Sequence, residues 1–170
     1  MKKRKPILLL SCSMPLLFAY GCSSRVVDFQ SITTFPQTFE GLTFELLPLV
    51  FTNPKAGGTP LPITLEDRVE DKDGKPELNI GYSNDEGTYE PLFVDFPEAS
   101  FPSGVKFAFV ELRHFHSAEI LALDNIGKVI ATAAQQDQDM RVTLALGGNG
   151  IRRLQFTTIE TLVYKISWKP

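Results

Sequence analysis

Hydrophobic and polar residues alternate with a period of two along most of the chain that follows residue 25. This period is typical of β-strands, because successive side chains of a strand point to opposite faces of its sheet. Two segments show the alternation most clearly. Their predicted inward residues are Met140, Val142, Leu144 and Leu146 in the first, and Leu162, Tyr164, Ile166 and Trp168 in the second.

Shorter alternating segments predict further strands, at 41–51, 78–82, 91–96, 105–112, 118–124, 128–134 and 151–157. Turn-forming residues separate them, as at Asp73-Gly74, 124–127 and 147–150. In 131–138, alanine and glutamine are also compatible with a helix, but the period of two favours a strand. About nine to eleven short strands punctuated by turns predict an all-β fold, an antiparallel sandwich or a barrel.

The first 24 residues have the three parts of a secretory signal. The cations Lys2, Lys3, Arg4 and Lys5 precede an apolar run, which ends on small residues around Cys22. The run is about 14 residues long, whereas a transmembrane helix needs about 20. The pattern therefore predicts that the chain is exported from the cytoplasm.

The end of this segment, Ala19-Tyr20-Gly21-Cys22, resembles the lipobox of bacterial lipoproteins. The resemblance implies that 1–21 is removed as a signal peptide and that Cys22 is acylated as the new first residue. Tyr20 departs from the small residue usual at its place. Two alternatives stay open: an ordinary secretory signal cut near Ala19 or Gly21, and an uncleaved membrane anchor.

No Ser/Gly/Pro-rich stalk follows the cysteine, because apolar residues resume at Val26. We expect 22–25 to be the acylated cysteine with a short tether, and 26–170 to be one β-sandwich domain. The lipoprotein resemblance implies a cell-envelope protein whose acyl chains attach it to a membrane. Ser23, rather than Asp, follows the cysteine. By the sorting rule of enteric-type lipoproteins, this implies the outer membrane if the source has two membranes.

Cysteine content and charge narrow the range of partners. Cys12 lies inside the signal, so cleavage leaves Cys22 alone and no internal disulfide can form. Removal of four of the 17 basic side chains and none of the 20 acidic ones leaves a net charge of −7. A net-acidic domain is a poor binder of nucleic acid, which we therefore exclude as a partner.

The order of segments from Phe101 onward is more specific. An apolar strand at 105–112 is followed by 118–124, a turn with Gly127, and alternating segments up to residue 168. This succession resembles the C-terminal half of the galactose-binding-like jelly rolls of bacterial exported proteins, and 39–44 is similar to their entry strand. The resemblance implies an antiparallel β-sandwich of jelly-roll type. It favours carbohydrate as the ligand, although this family ranges from sugar binders to scaffolds.

The most ligand-like segment is 82–90, where two tyrosines bracket amide, carboxylate and hydroxyl side chains. Aromatic rings stack on sugar rings, and the polar groups hydrogen-bond sugar hydroxyls. The residues predicted to form a glycan site are therefore Tyr82, Asn84, Asp85 and Tyr89. The alternative is a solvated hairpin loop with Tyr82 packed beneath it.

His114 and His116 are the only histidines, and their spacing on a strand can supply two ligands of a metal ion. Two solvent-facing polar residues beside an inward Phe115 explain the same pattern. No C-x-x-C or H-E-x-x-H pattern accompanies the two histidines. The histidine pair is the first of two metal candidates.

A structural calcium ion is the second metal candidate. Jelly rolls of the resembled type often hold such an ion near an edge of the fold. The acidic residues that flank the terminal strands are Asp28, Glu40 and Glu160. Apart from this ion and the lipid on Cys22, no cofactor is expected.

The sequence contains no G-x-S-x-G, H-E-x-x-H or C-x-x-C motif. We therefore expect a non-catalytic binding or structural module of the cell envelope, with glycan as the favoured ligand. A scaffold lipoprotein that binds another envelope protein is the first alternative. An envelope hydrolase is the second.

Overall fold

The computed structural model describes residues 25–39, 43–46, 48–52, 63–68, 73–81, 91–115, 118–136, 139–157 and 160–170. Within these ranges it has thirteen strands and one short 3-10 turn at Phe29–Ser31. The strands are β1 (Val26–Asp28), β2 (Gln37–Thr38), β3 (Thr43–Leu46), β4 (Leu49–Thr52), β5 (Ile63–Glu66), β6 (Glu77–Ile80), β7 (Leu92–Asp95), β8 (Val105–His114), β9 (Ala118–Leu123), β10 (Val129–Gln135), β11 (Arg141–Ile151), β12 (Arg153–Phe156) and β13 (Thr161–Lys169).

The strands form two antiparallel sheets, and the protein is a β-sandwich, as the alternation predicts. The seven-stranded sheet has the order β11-β8-β13-β6-β5-β2, with β1 also paired to β13. The six-stranded sheet has the order β10-β9-β12-β7-β4-β3. From β6 to β13 the chain alternates between the two sheets, except at the hairpin of β9 and β10. One sheet then contains the order β6-β13-β8-β11 and the other the order β7-β12-β9-β10. This strand order is that of a jelly roll.

The apolar core lies between the two sheets and is filled by alternate residues of their strands. Trp168 belongs to it, with only 5% of its surface exposed. Its ring meets Phe96 and Phe101 edge to face, at centroid distances of 6.0 and 5.5 Å. The prediction that Trp168 is a core residue is confirmed.

The segment predicted as one strand at 41–51 is instead a hairpin of β3 and β4. Pro48 lies between the two strands, and proline cannot donate a hydrogen bond to a sheet ladder. The hairpin brings Phe44 opposite Phe51, and their rings stack at 4.9 Å. The inward residues are Phe44 and Leu46 in β3 but Leu49 and Phe51 in β4, so the alternation is interrupted at the reversal.

The glycine-rich segment 147–150, predicted as a turn, lies inside strand β11. The pairing with β8 shifts between Gly147, opposite Phe107, and Ile151, opposite Val105, so the segment is a bulge. Gly150 has a φ of 76°, which favours glycine. In contrast, 131–138 is extended as predicted over the part that belongs to β10.

A second bulge, in β13, changes which residues face the core. Val163 pairs with Leu112 and Lys165 with Glu111, so Tyr164 is the extra residue. The bulge interrupts the alternation of inward and outward residues in β13. Val163, Ile166 and Trp168 belong to the core, whereas Leu162 and Tyr164 are buried on the outward side. The predicted inward set is therefore wrong for Leu162 and Tyr164.

The prediction for the first alternating segment also needs a correction. Leu144 and Leu146 are buried in the core and Val142 packs against it, as expected. Met140 precedes β11 and is 57% exposed. It therefore lies beyond the end of the strand on which its inward orientation was predicted.

Candidate functional site

The outward face of the seven-stranded sheet carries aromatic and charged side chains on its central strands. In β8, Ala108, Val110 and Leu112 enter the core. Because strand residues alternate, Phe109 and Glu111 point to the opposite face. This outward face brings together aromatic and charged groups from neighbouring strands.

An aromatic pair, Phe107 and Phe109, occupies one part of this face. The ring centroids are 6.4 Å apart and the ring planes are 19° from parallel. Phe107 is 46% exposed and its ring lies against Gly147, where a Cβ atom would be 3.1 Å from Phe107 Cε1. The absence of a side chain at Gly147 therefore lets the Phe107 ring lie across the sheet.

Small or flexible residues surround the aromatic pair. Phe109 lies opposite Ala145 on β11 and Ser167 on β13, and neither side chain is long enough to cover its ring. The Lys169 ammonium is 5.4 Å from the Phe109 ring centroid, within cation–π range. The two rings are therefore accessible from the side that faces away from the core.

An ion-pair network of Asp28, Glu111, Arg141 and Lys165 adjoins the aromatic pair. Arg141 Nε donates to Glu111 Oε1 at 2.8 Å. Lys165 Nζ lies between two carboxylates, 3.7 Å from Glu111 Oε2 and 3.8 Å from Asp28 Oδ2. All four side chains are between 26% and 42% exposed, so solvent screens the pairs and each contributes little stability. Their polar atoms stay accessible to a ligand.

Arg141 is held in place by two further contacts. Its guanidinium lies 3.9 Å above the centroid of the Tyr164 ring, and it donates to Gln30 Oε1 at 3.2 Å. Tyr164 is the bulge residue of β13 and is only 1% exposed. The bulge thus turns an aromatic ring outward, where it supports the cation.

Gln30 connects this network to a buried carboxylate. Its Nε2 donates to Glu77 Oε1 and to Asp73 Oδ2, both at 3.4 Å. Glu77 is fully buried, and its Oε2 also accepts from the backbone N–H of Arg68 at 3.4 Å. A buried carboxylate needs such donors, because desolvation of an unpaired charge is costly. The contacts tie the segment after β1 to β6.

Several predicted site residues lie outside the described residues. They are the lipidation site Cys22, the glycan candidates Tyr82, Asn84, Asp85 and Tyr89, and the metal candidates Glu40 and His116. These predictions therefore stay as predictions.

His114 does not lie on a solvent-facing surface, contrary to the expectation for the histidine pair. It is the last residue of β8 and is fully buried. Its backbone carbonyl accepts from Asp139 N–H at 2.8 Å, and it pairs with Thr161 of β13. His114 is buried because alternate residues of a strand face the same side, and it therefore has the same orientation as Val110 and Leu112.

The structure does not bring Asp28 and Glu160 together for one calcium ion. Asp28 lies opposite Lys165, whereas Glu160 immediately precedes Thr161 at the start of β13. Five residues of strand separate the two levels by about 16 Å, far beyond the span of one coordination sphere. Among the described residues, no group of three or more His, Cys, Asp or Glu side chains is arranged to hold a metal ion.

Sequence reasoning missed the aromatic pair and the network. The segment 105–112 alternates through Val105, Phe107 and Phe109, which suggests a single inward face. In the structure Val105 is in the core, but Lys106 and Phe107 are both exposed. From Ala108 onward, the even-numbered residues of β8 are the buried ones. Apolar residues occupy both odd and even positions of 105–112, and this was the available signal that one of the two sets faces outward.

No protein-family model matches the chain, and no curated protein matches it. Among the described residues, no helix is long and apolar enough to span a membrane. The geometry of the outward face is what supports the functional proposal below.

Proposed function

We propose that the protein is a lipid-anchored, non-catalytic binding module of a bacterial cell envelope. The lipobox-like Ala19-Tyr20-Gly21-Cys22 supports the anchor. Arg25 already belongs to the sandwich, because its carbonyl accepts from Trp168 N–H at 3.0 Å. A domain that begins three residues after an acylated cysteine is held close to its membrane. With Ser23 after the cysteine, this is the outer membrane in a two-membrane source.

Fatty-acid labelling of cells tests the anchor. We expect a clickable fatty acid to label the wild-type chain and not a Cys22→Ser variant, because the thiol is the site of attachment. Gel fluorescence of the immunoprecipitated protein measures the label. Equal labelling of both forms would rule out acylation of Cys22.

We propose glycan as the ligand, and the aromatic pair carries this proposal. Two nearly parallel rings at 6.4 Å can each cover the apolar C–H face of a sugar residue. Glu111 and Lys165, on the same outward face, offer an acceptor and a donor for sugar hydroxyls. This is the same chemistry as predicted for 82–90, here on a part of the fold that the structure describes.

Co-sedimentation with insoluble glycans tests the ligand class. The full chain is mixed in detergent with peptidoglycan, chitin, cellulose and amylose, and the bound fraction is measured. For the glycan that binds, we expect Phe107→Ala and Phe109→Ala each to weaken binding about fivefold, since one stacked ring is worth about 1 kcal/mol. Met140→Ala is the matched control, because it also removes an exposed apolar side chain.

The outward face of the six-stranded sheet favours a protein partner as the alternative function. Phe93, Val50 and Leu121 are half-buried on this face, next to an Arg153–Asp95 pair with contacts of 2.6 and 3.1 Å. The Arg153 guanidinium also lies 4.8 Å from the Phe93 ring centroid. If no glycan binds, or if the phenylalanine variants bind as well as wild type, the glycan proposal fails and this face becomes the site to test.

A further inference from the structure

One end of the sandwich, which we call the tether end, collects features that suit a membrane surface. Strands β1, β8, β10 and β12 begin there, and β7, β9, β11 and β13 end there, as the antiparallel pairings and the one-residue connection from β11 to β12 require. Its exposed side chains include the cations Arg25, Lys106, Lys128 and Lys169 and the apolar residues Ile126 and Val129.

Ile126 is the most exposed large apolar residue described, at 80%. It lies in the turn between β9 and β10, and Asp124 holds this turn: Asp124 Oδ1 accepts from Ile126 N–H at 3.0 Å and from Lys128 N–H at 2.9 Å. Gly127 adopts a φ of 79°, which completes the turn. An apolar side chain is therefore presented at the tip of a short, hydrogen-bonded turn.

Three lysines of the tether end have no carboxylate partner among the described residues. Lys106, Lys128 and Lys169 form no ion pair among the described residues, whereas Lys75 and Lys165 each have a carboxylate within 4.0 Å. The acidic side chains at the tether end are Glu45, Glu98 and Asp124, in addition to Asp95, which Arg153 neutralises. The tether end is therefore locally cationic, although the chain after the signal has an acidic balance.

The chain that leads to the anchor starts from the same end. The Arg25 carbonyl is hydrogen-bonded to Trp168, next to Lys169, so β1 enters the sheet there. Only Ser23 and Ser24 lie between Cys22 and Arg25, and three consecutive Cα–Cα steps span at most about 11 Å. A lipid on Cys22 would therefore draw this end, and no other, against the bilayer.

We propose that the tether end lies on the bilayer that holds the lipid of Cys22. In this orientation Ile126 enters the head-group region, and Lys106, Lys128 and Lys169 meet anionic phosphates. Apolar side chains among lysines are the composition of interfacial membrane contacts. The inference rests on the proposed acylation of Cys22 and deepens it, since it assigns the surface that the anchor brings to the membrane.

Depth-dependent fluorescence quenching tests this orientation in the full acylated chain. An environment-sensitive fluorophore is attached through Ile126→Cys, or through Met140→Cys as the control. Both positions are exposed, and Met140 precedes β11 at the opposite end of the sandwich. The labelled proteins are reconstituted into vesicles of phosphatidylethanolamine and phosphatidylglycerol that carry head-group spin labels. We expect several-fold stronger quenching at position 126 than at 140.

Flotation of the same vesicles separates the possible outcomes. Flotation with quenching at 126 alone supports the orientation, and a Lys106→Glu/Lys128→Glu/Lys169→Glu variant should then float with reduced quenching at 126. Flotation with equal quenching at both positions overturns the orientation and leaves the anchor intact. A chain that does not float lacks the anchor, and the orientation proposal fails with it.

Discussion

The two sides of strand β13 make different kinds of contact: apolar packing on the inward side and ion pairs on the outward side. On the inward side, Val163, Ile166 and Trp168 belong to the buried apolar core. On the outward side, Lys165 lies 3.7 and 3.8 Å from two carboxylates that stay partly exposed. Dense packing constrains the shape of the first set, whereas the second set depends on charge in a solvated setting. Binding functions are therefore easier to accommodate on the outward side.

The largest expected effect comes from the inward side. Trp168→Ala should lower the free energy of unfolding by about 3–5 kcal/mol, because it leaves a cavity beside Phe96 and Phe101. Urea denaturation of residues 23–170 measures the change. The matched outward change, Phe107→Ala, should cost less than about 1 kcal/mol because the ring is 46% exposed. Equal losses for the two variants would contradict the distinction between the sides.

The next largest losses of stability are expected for alanine substitutions at Gly104 and Gly127. Both residues have a positive φ, but only Gly104 is also in close contact with other backbone atoms. A Cβ atom on Gly104 would be 2.7 Å from the Ile151 carbonyl oxygen and 2.9 Å from Gly150 Cα, at a φ of 69°. Gly127 has a φ of 79° and nothing within 4 Å. We expect Gly104→Ala to destabilise by about 2–4 kcal/mol and Gly127→Ala by about 1 kcal/mol. Thermal unfolding of both variants measures the losses. A lower midpoint for Gly127→Ala than for Gly104→Ala would contradict the importance of close contacts at Gly104.

The smallest effects are expected in the ion-pair network. Arg141→Ala removes the 2.8 Å bond to Glu111 and the contact with the Tyr164 ring, and should cost about 1 kcal/mol. Lys165→Ala removes only two long contacts and should cost less than about 0.5 kcal/mol. High salt should reduce both losses in urea denaturation, because it screens exposed charges. Losses as large as that of Trp168→Ala would show that this side is packed like the core.

Much of the fold could be predicted because the period of two is a local property of the chain. It indicated β6 to β10, β12 and β13 to within a few residues, and the first part of β11. The hairpin at β3 and β4 and the bulges in β11 and β13 could not be predicted in this way. A bulge inserts one residue or more without changing composition, and only the register with the partner strand reveals it.

The candidate site was less predictable than the fold. Local chemistry pointed to 82–90 and to His114, whereas the aromatic pair and the network join residues from β1, β8, β11 and β13. Gln30 and Arg141 are 111 positions apart and still form a hydrogen bond at 3.2 Å. No local pattern encodes such a contact, because sheet order decides it.

The sequence by itself determined an all-β chain, a core that includes Trp168, and an acidic balance after an export-signal pattern. These follow from local hydropathy and from composition, which do not depend on how strands pair. Only the tertiary structure decided that Phe107 and Phe109 face outward, that His114 is buried, and that exposed lysines gather where β1 begins. Strand register and sheet order control those positions, and both arise from contacts between residues far apart in the chain.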